Sequence, residues 1–405
     1  MKKKILFIVL DGAADRPVLI DGEKKTPFSD ANLRNINQIA RDGINGIMDV
    51  ISPGIPPGSD VGHLSLLGYD PYRIYTGRGP LEAIGAGISV KKGDLAFRCN
   101  FATYKDGIIL DRRAGRINDT DGLAEAIEQN VKLKVDFLFK RSAGHRAALV
   151  LRGDGLSYKI TDVDPGDDNL PLKKAEPLDE TAEKTAEILN DFVEQSIKIL
   201  SNHPINEERK KRGLPIANVI LPRGAGIVPI VEKFEEKYGL KGAAVAATGL
   251  VIGISRLCGL DFTFTEGATG GIDTNIDNKV KSALLLLDTH DFVLMNIKGA
   301  DEAGHDRDFS KKRRFLERID AAFEKLVGLE DTIIAITSDH TTPVSVGNHT
   351  GDPVPICISG EGVRTDEVER FNEFECANGG LGRIRGKDLM LILLDLVGRG
   401  KKFGA

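Results

Sequence analysis

Three apolar runs each end at a carboxylate or an imidazole. Ile5–Leu10 stops at Asp11, and Phe292–Ile297 leads into Lys298-Gly-Ala-Asp301-Glu-Ala-Gly-His305-Asp306. Thr332–Thr337 leads into Ser338-Asp339-His340, and Gly347-Asn348-His349-Thr350-Gly351-Asp352 repeats the theme shortly after. Three of the 7 histidines (305, 340 and 349) fall in this late stretch, each near an aspartate. Mixed carboxylate and imidazole sets suit divalent metals such as Mn²⁺ or Zn²⁺. They outnumber the ligands of one tetrahedral zinc. Two ions fit the number better, and paired ions clamp the oxygens of an in-line phosphoryl displacement. Any one of these residues alone reads as a cap or a turn. Three strand-end clusters together read as a site.

A nucleophile accompanies them. Pro56-Pro57-Gly58-Ser59-Asp60-Val61-Gly62-His63 opens with turn residues and runs into a short helical pattern, with Ser59 expected at the N-cap. A helix start offers amide groups and a positive dipole to an anion. A serine there, beside a metal, is one that can be ionised and phosphorylated.

The elements that must carry these residues follow from the pattern. Residues 4–10, Phe292–Ile297, Thr332–Thr337 and the shorter Pro355–Ser359 are near-continuous apolar runs, as strands buried on both faces are. Lys311–Leu326 has its apolar residues at helical spacing, and Lys387–Val397 reads as a closing helix. Strand–helix alternation at both ends predicts an α/β fold, a mostly parallel sheet flanked by helices. Ligands then bind beyond the carboxyl ends of the strands, where the Asp and His clusters fall. The middle is different. Phe97–Tyr104, Gly107–Leu110, Ala147–Leu151 and Tyr158–Asp162 read as short strands, Val163–Pro177 as a Pro/Gly/Asp loop, and Asp179–Leu200 as a long amphipathic helix. The expected organisation is a discontinuous main domain, 1–90 and 216–405, with a smaller α+β domain inserted at 91–215.

Composition narrows the classes. The chain has 405 residues, 41% hydrophobic and 28% charged, which excludes a disordered chain. A net charge of −5, from 55 basic and 60 acidic residues, lacks the basic excess of a nucleic-acid binder. The four cysteines form no CxxC pair, so they are expected as core packing in a reducing compartment. No run of ~18 apolar residues suggests a membrane span. The N-terminal run ends at Asp11-Gly12 without a cleavage site. A soluble, cytoplasmic protein is expected. His203 before Pro204 reads as a helix-end surface residue and His290 as a turn. Thr248–Gly253 matches neither GxGxxG nor a P-loop.

Taken together, Val9-Leu10-Asp11-Gly12, Gly58-Ser59-Asp60-Val61-Gly62-His63, Gly299–Asp306, Ser338-Asp339-His340 and Gly347-Asn348-His349 resemble the alkaline phosphatase superfamily. Within it they are most similar to the cofactor-independent phosphoglycerate mutases, in their short archaeal-type branch. The resemblance runs the length of the chain in order. It implies an isomerase of glycolysis and gluconeogenesis that interconverts 3- and 2-phosphoglycerate without 2,3-bisphosphoglycerate, through a phosphoserine at Ser59. It implies that Asp301, His305 and His349 hold one metal ion, and that Asp11, Ser59, Asp339 and His340 hold the other. Manganese is the first expectation, with zinc, cobalt or magnesium as alternatives. The alternative functions are a metal-dependent phosphatase or another phosphomutase of the same superfamily; a non-catalytic binding protein would have no need of Ser59.

A substrate with a phosphate and a carboxylate needs several cations, and arginine is the better fork for both. The candidates are Arg112, Arg113 and Arg116 in one segment, His145 and Arg146 in a second, and Arg223 and Lys241 near the return to the main domain. Thr76-Gly77-Arg78-Gly79-Pro80 is a further contact or a turn. The ligand is a small molecule; neither nucleic acid nor membrane is expected as a partner. A mutase must keep its dephosphorylated intermediate from water, and the inserted domain is expected to close over the sheet edge.

Overall fold

The computed structural model describes residues 3–404. The chain divides into two compact units. One runs to Arg73 and resumes at Glu232; the other is Ile74–Val231.

In the first unit, eight strands among the described residues form one sheet. Their order is Asp261–Phe262, Gly242–Val245, Phe292–Ile297, Lys4–Leu10, Thr332–Thr337, Val354–Ser359, Gly43–Asp49, Gly382–Arg385. Neighbours are parallel except at Val354–Ser359, which runs against both of its partners. The exception has a simple cause. Residues 338–353 contain no helix and make no crossover, so the chain must return beside the strand it has just left.

Ile5 to Leu10 are fully buried, as a continuous apolar run requires. Side chains alternate between the faces. Leu6, Ile8 and Leu10 pack into one cluster with Ile36 and Ile39 of helix Arg34–Arg41, Val280 and Ala283 of helix Ile276–Leu287, and Phe315 and Ile319 of helix Phe309–Ala322. On the other face Phe7 meets Phe292 at 6.1 Å between ring centroids, and Phe292 meets Phe234 at 4.6 Å. Each such side chain contributes about 1.5–3 kcal/mol through burial. The core thus fixes three adjacent strands in register, with Leu10 beside Ile297 and Val9 beside Thr337. Their carboxyl ends deliver Asp11, Lys298, Asp301, Asp339 and His340 to one edge.

The second unit is built on an antiparallel sheet. Its strands are Asp136–Arg141, Arg146–Arg152, Leu95–Lys105, Ile108–Asp111 and Leu170–Pro171 in that order, with Val219–Ile227 also paired to Leu95–Lys105. Helix Glu183–Ser201 buries Ile188, Leu189, Phe192 and Val193, and Phe192 packs on Phe139 at 5.8 Å. The unit is wider than the 91–215 segment expected from sequence. Before it, helix Gly79–Gly85 lies so close to the sheet that a Cβ at Gly79 would stand 2.1 Å from the Ala96 carbonyl. After it, the Val219–Ile227 strand pairs along Leu95–Ala102. Tyr158–Asp162, expected as a strand, makes only an isolated bridge between Ile160 and Pro177. Among the described residues, no helix is long and apolar enough to cross a membrane.

Candidate active site

Asp11 leaves the first strand into a turn at Gly12, whose φ is +63°. A side chain at Gly12 would fall 2.6 Å from Cβ and Oδ1 of Asp301, so this glycine is what lets the two aspartate loops close on each other. The Gly12 amide donates to Asp339 Oδ1 at 3.0 Å, which brings the third strand end to the same point.

Two groups of potential metal donors result, each with its ligand atoms within 4.8 Å of one another: Asp301, His340 and His349, and Asp11, His63 and Asp339. His305 is half-exposed, with Nε2 3.4 Å from Asp301 Oδ1. Its Nδ1 lies 3.0 Å from the Gly347 carbonyl, as His349 Nδ1 lies 2.8 Å from that of Pro57. These contacts turn both Nε2 atoms toward Asp301. His340 Nε2 stands 3.3 Å from Asp339 Oδ2 and 3.6 Å from Asp11 Oδ1. The donor set is the oxygen and imidazole mixture that divalent cations take. Asp339 Oδ2 is buried and, among the described residues, has no hydrogen-bond partner. A buried carboxylate oxygen in that state fits a bound cation.

His63 was not among the residues singled out from sequence. Its ring is already engaged. Asn296 Nδ2 lies 3.0 Å from Asp11 Oδ2, which fixes the amide with its donor inward, and donates to His63 Nε2 at 3.1 Å. His63 Nδ1 therefore carries the proton and donates to the Ser59 carbonyl at 2.7 Å. With both nitrogens occupied, His63 steadies the first turn of the Ser59 helix rather than offering a lone pair.

Ser59 itself is one residue further into the helix than expected. Gly58 is the N-cap of helix Ser59–Leu66, so the Ser59 hydroxyl does not cap. It points to His340 Nε2 at 3.1 Å and lies 3.5 Å from Lys298 Nζ. Lys298 is the second residue that sequence reading passed over. Its Nζ donates to Asp11 Oδ1 and to Asp301 Oδ2, both at 2.7 Å, bridging the two groups. Burial opposes its charge, but Asp11, Asp301 and Asp339 outweigh burial and raise its pKa. Burial likewise opposes ionisation of Asp301, yet Lys298, His349, His340 and His305 hold the carboxyl well below its usual range. Its i−3 position relative to Asp301, immediately after an apolar strand, was the available signal for Lys298.

Comparison with known proteins bears on this arrangement. Residues 40–206 match the family model described as 2,3-bisphosphoglycerate-independent phosphoglycerate mutase. A relative of that name from Methanothermobacter thermautotrophicus is 53% identical over 99% of this chain and 100% of its own length. The chain belongs to the 2,3-bisphosphoglycerate-independent phosphoglycerate mutases. A namesake from Archaeoglobus fulgidus is 50% identical over 99% of this chain and 100% of its own. Among solved structures, the cofactor-independent phosphoglycerate mutase of Thermoplasma acidophilum superposes with a TM-score of 0.71 at 41% identity, covering 98% of this chain and 100% of its own. A Pyrococcus horikoshii protein superposes with a TM-score of 0.86 at 41% identity, covering both chains fully. The chain is accordingly an isomerase.

The second unit gathers cations on one face of its sheet. Arg98 and Asn100 share a face of their strand; Arg223 stands opposite Arg98 and Arg146 opposite Asn100. The Nε atoms of Arg98, Arg146 and Arg223 are buried and, among the described residues, have no hydrogen-bond partner. Burial, then Arg78 and Arg223, disfavour the charge on Arg98, and the nearby Glu82 carboxylate opposes them. Burial, followed by Arg146, Arg113, Arg98 and Arg223, pushes His145 down to about 4. Of the sequence candidates, Arg146, Arg223, His145 and Arg113 thus meet, joined by Arg78, from the segment left open between a contact and a turn, and by Arg98, which the sequence did not single out. Arg112 is held internally by Asp164, at 2.6 and 2.8 Å. Arg116 is exposed on a left-handed backbone, φ 56°. Lys241 is a correction. It immediately precedes strand Gly242–Val245 and accepts from the Asp291 amide at 2.9 Å, so it lies at the amino edge of the sheet, opposite the aspartate cluster.

Proposed function

We propose that this isomerase moves the phosphoryl group between the 3- and 2-hydroxyls of glycerate through a phosphoserine at Ser59, at a site that holds two divalent metal ions. The observation that carries the reading is the position of Ser59 Oγ between His340 Nε2 and Lys298 Nζ. The residues that would hold the ions are Asp301, His305 and His349 for one, and Asp11, Ser59, Asp339 and His340 for the other. When bound, such ions neutralise phosphoryl oxygens and favour the ionised serine. Manganese remains the first choice among zinc, cobalt and magnesium.

The chain's own residues supply the rest. Ser59 Oγ gives up its proton as it attacks phosphorus, the phosphorus–oxygen bond to glycerate breaks, and the freed oxygen takes up a proton, leaving glycerate as the hydroxyl acid. The other hydroxyl of the same glycerate then attacks the phosphoserine and restores free Ser59. Lys298, kept protonated by three carboxylates, offers positive charge beside the transferring group. The arginine face of the second unit, Arg98, Arg146 and Arg223, takes the carboxylate of glycerate or its phosphate.

The test is an assay with 3-phosphoglycerate and Mn²⁺ and no 2,3-bisphosphoglycerate, in which 2-phosphoglycerate and free phosphate are both measured. 2-Phosphoglycerate should dominate, and acid quench during turnover should trap label on Ser59. A wild-type enzyme that mainly releases phosphate, or carries no label on Ser59, would refute the reading.

A further inference from the structure

The loop after Thr337 carries a hydroxyl that touches two of the donor residues. Thr342 Oγ1 donates to Asp301 Oδ1 at 2.9 Å and lies 2.9 Å from His340 Nδ1. A threonine hydroxyl has one proton. An ionised carboxylate can only accept, so that proton is committed to Asp301. The contact with His340 must then run the other way, from Nδ1–H to the threonine oxygen. In the neutral ring this leaves Nε2 without a proton.

Thr342 is not free to turn away. Its amide donates to the Ala14 carbonyl at 3.1 Å, and its carbonyl accepts from Lys312 Nζ at 2.9 Å. Lys312 is completely buried and also donates to the Ala14 carbonyl and to Asp15 Oδ2. One ammonium therefore ties the loop after Asp11 to the loop after Asp339. The approach of Thr342 is tight enough that a Cβ at Gly304 would stand 2.5 Å from its carbonyl oxygen. His340 is also confined by His349, whose ring stacks on it at 3.6 Å and 18°.

We infer that Thr342 is a positioning residue. Its hydroxyl, anchored through Lys312, fixes His340 in the Nδ1–H tautomer and so presents a bare Nε2 to Ser59 Oγ, Asp339 Oδ2 and Asp11 Oδ1. The inference rests on the proposed reading of the site for its consequence, that His340 serves the Asp11 and Asp339 group and not the Asp301 group. Its structural content stands apart from any metal. Outer partners that orient a ligating imidazole commonly govern metal affinity by about 10–100-fold.

The experiment uses the full chain with ¹⁵N-labelled histidine, stripped of metal and held at pH 8. The imidazole nitrogens of His340, assigned by comparison with His340→Gln, should report the Nδ1–H tautomer. Thr342→Val, which keeps the shape and removes the hydroxyl, should lose that single tautomer and bind Mn²⁺ about 10–100-fold more weakly in titrations. Thr342→Ser should restore both, which a merely structural role for the methyl group would not do. A wild-type His340 found as Nε2–H or as imidazolium, or a Thr342→Val chain that keeps wild-type tautomer and Mn²⁺ affinity, overturns the inference. Wild-type protein that binds no Mn²⁺ defeats the metal reading instead, and the tautomer still decides this one.

Discussion

Arg98 and Arg223 face each other directly across two antiparallel strands, and the Nε of each is buried without a partner among the described residues. Like charges in that position repel. Each has a carboxylate nearby, Glu82 3.7 Å from Arg98 Nε and Asp164 3.3 Å from Arg223 Nη1. A bound anion would relieve the repulsion further, since hydrogen bonds to charged groups are each worth about 1.5–3 kcal/mol. Arg98→Met should raise KM for 3-phosphoglycerate by about 10-fold or more, without lowering the melting temperature of the ligand-free chain. Inorganic phosphate should raise the melting temperature of wild type more than that of the variant. An unchanged KM would remove the arginine face from the substrate site.

Ser59→Ala tests the nucleophile. Losing a covalent nucleophile should reduce kcat by about three orders of magnitude or more, near 4 kcal/mol of barrier at 1.36 kcal/mol per tenfold. Circular dichroism should be unchanged, since Gly58 and not Ser59 caps the helix. A variant with more than a few per cent of wild-type activity would require transfer without a phosphoserine.

Metal dependence is tested by elemental analysis after reloading. Two ions per chain are expected, with activity lost on chelation and regained on adding Mn²⁺. Reloading should also raise thermal stability, by about 2.7 kcal/mol when metal is at 100 times its dissociation constant. Asp339→Asn should remove one ion and leave the other, because Asp339 Oδ2 faces His340 and not Asp301. Full activity with no metal would overturn the site.

The strand ends were legible because a continuous apolar run and the polar residue that stops it are both local features. The structure also brings Asp11, Asp301, Asp339, His340 and His349, which follow such runs in sequence, within reach of one another. The partners that orient them were not legible. Asn296 is the fifth residue of a buried strand, and only the register of that strand against Lys4–Leu10 shows that its amide reaches Asp11 and His63. Arg98 and Arg223 are far apart in sequence, and their meeting depends on antiparallel pairing that no periodicity reveals. Lys241 failed for a related reason, since its neighbourhood in sequence says nothing about which edge of the sheet it occupies. The antiparallel course of Val354–Ser359 follows from a missing helix in the preceding loop, a negative signal that a buried strand pattern does not carry.

His145 gives a pH dependence with a definite sign. Its folded pKa, pushed down to about 4 by burial and then by Arg146, Arg113, Arg98 and Arg223, lies below its unfolded value near 6.5. Between those values the unfolded chain binds more protons, so this group makes stability rise with pH and fall on acidification from about 6.5 toward 4. His145→Gln should flatten the melting-temperature profile in that window and leave it unchanged above pH 7. An identical profile for variant and wild type would show that His145 is not held neutral.

The buried pair Lys312 and Asp15 provides the last prediction. Both side chains are fully buried, with Lys312 Nζ 2.8 Å from Asp15 Oδ2. Burial pushes the Lys312 ammonium down and the Asp15 carboxyl up, while each favours the charged form of the other. Breaking such a pair leaves an uncompensated charge and typically costs about 3–5 kcal/mol. Lys312→Met should therefore destabilise strongly. Replacing both groups with apolar ones is often far less costly, but here Asp15 also accepts from the Val344 amide at 3.1 Å and Lys312 holds two carbonyls. Lys312→Met with Asp15→Asn, which keeps an acceptor for Val344, should recover part of the loss in urea denaturation. It should not recover Mn²⁺ affinity, because Thr342 still lacks the ammonium that anchors its carbonyl. A double variant that regains stability and wild-type Mn²⁺ affinity together would show that Lys312 serves only to neutralise Asp15.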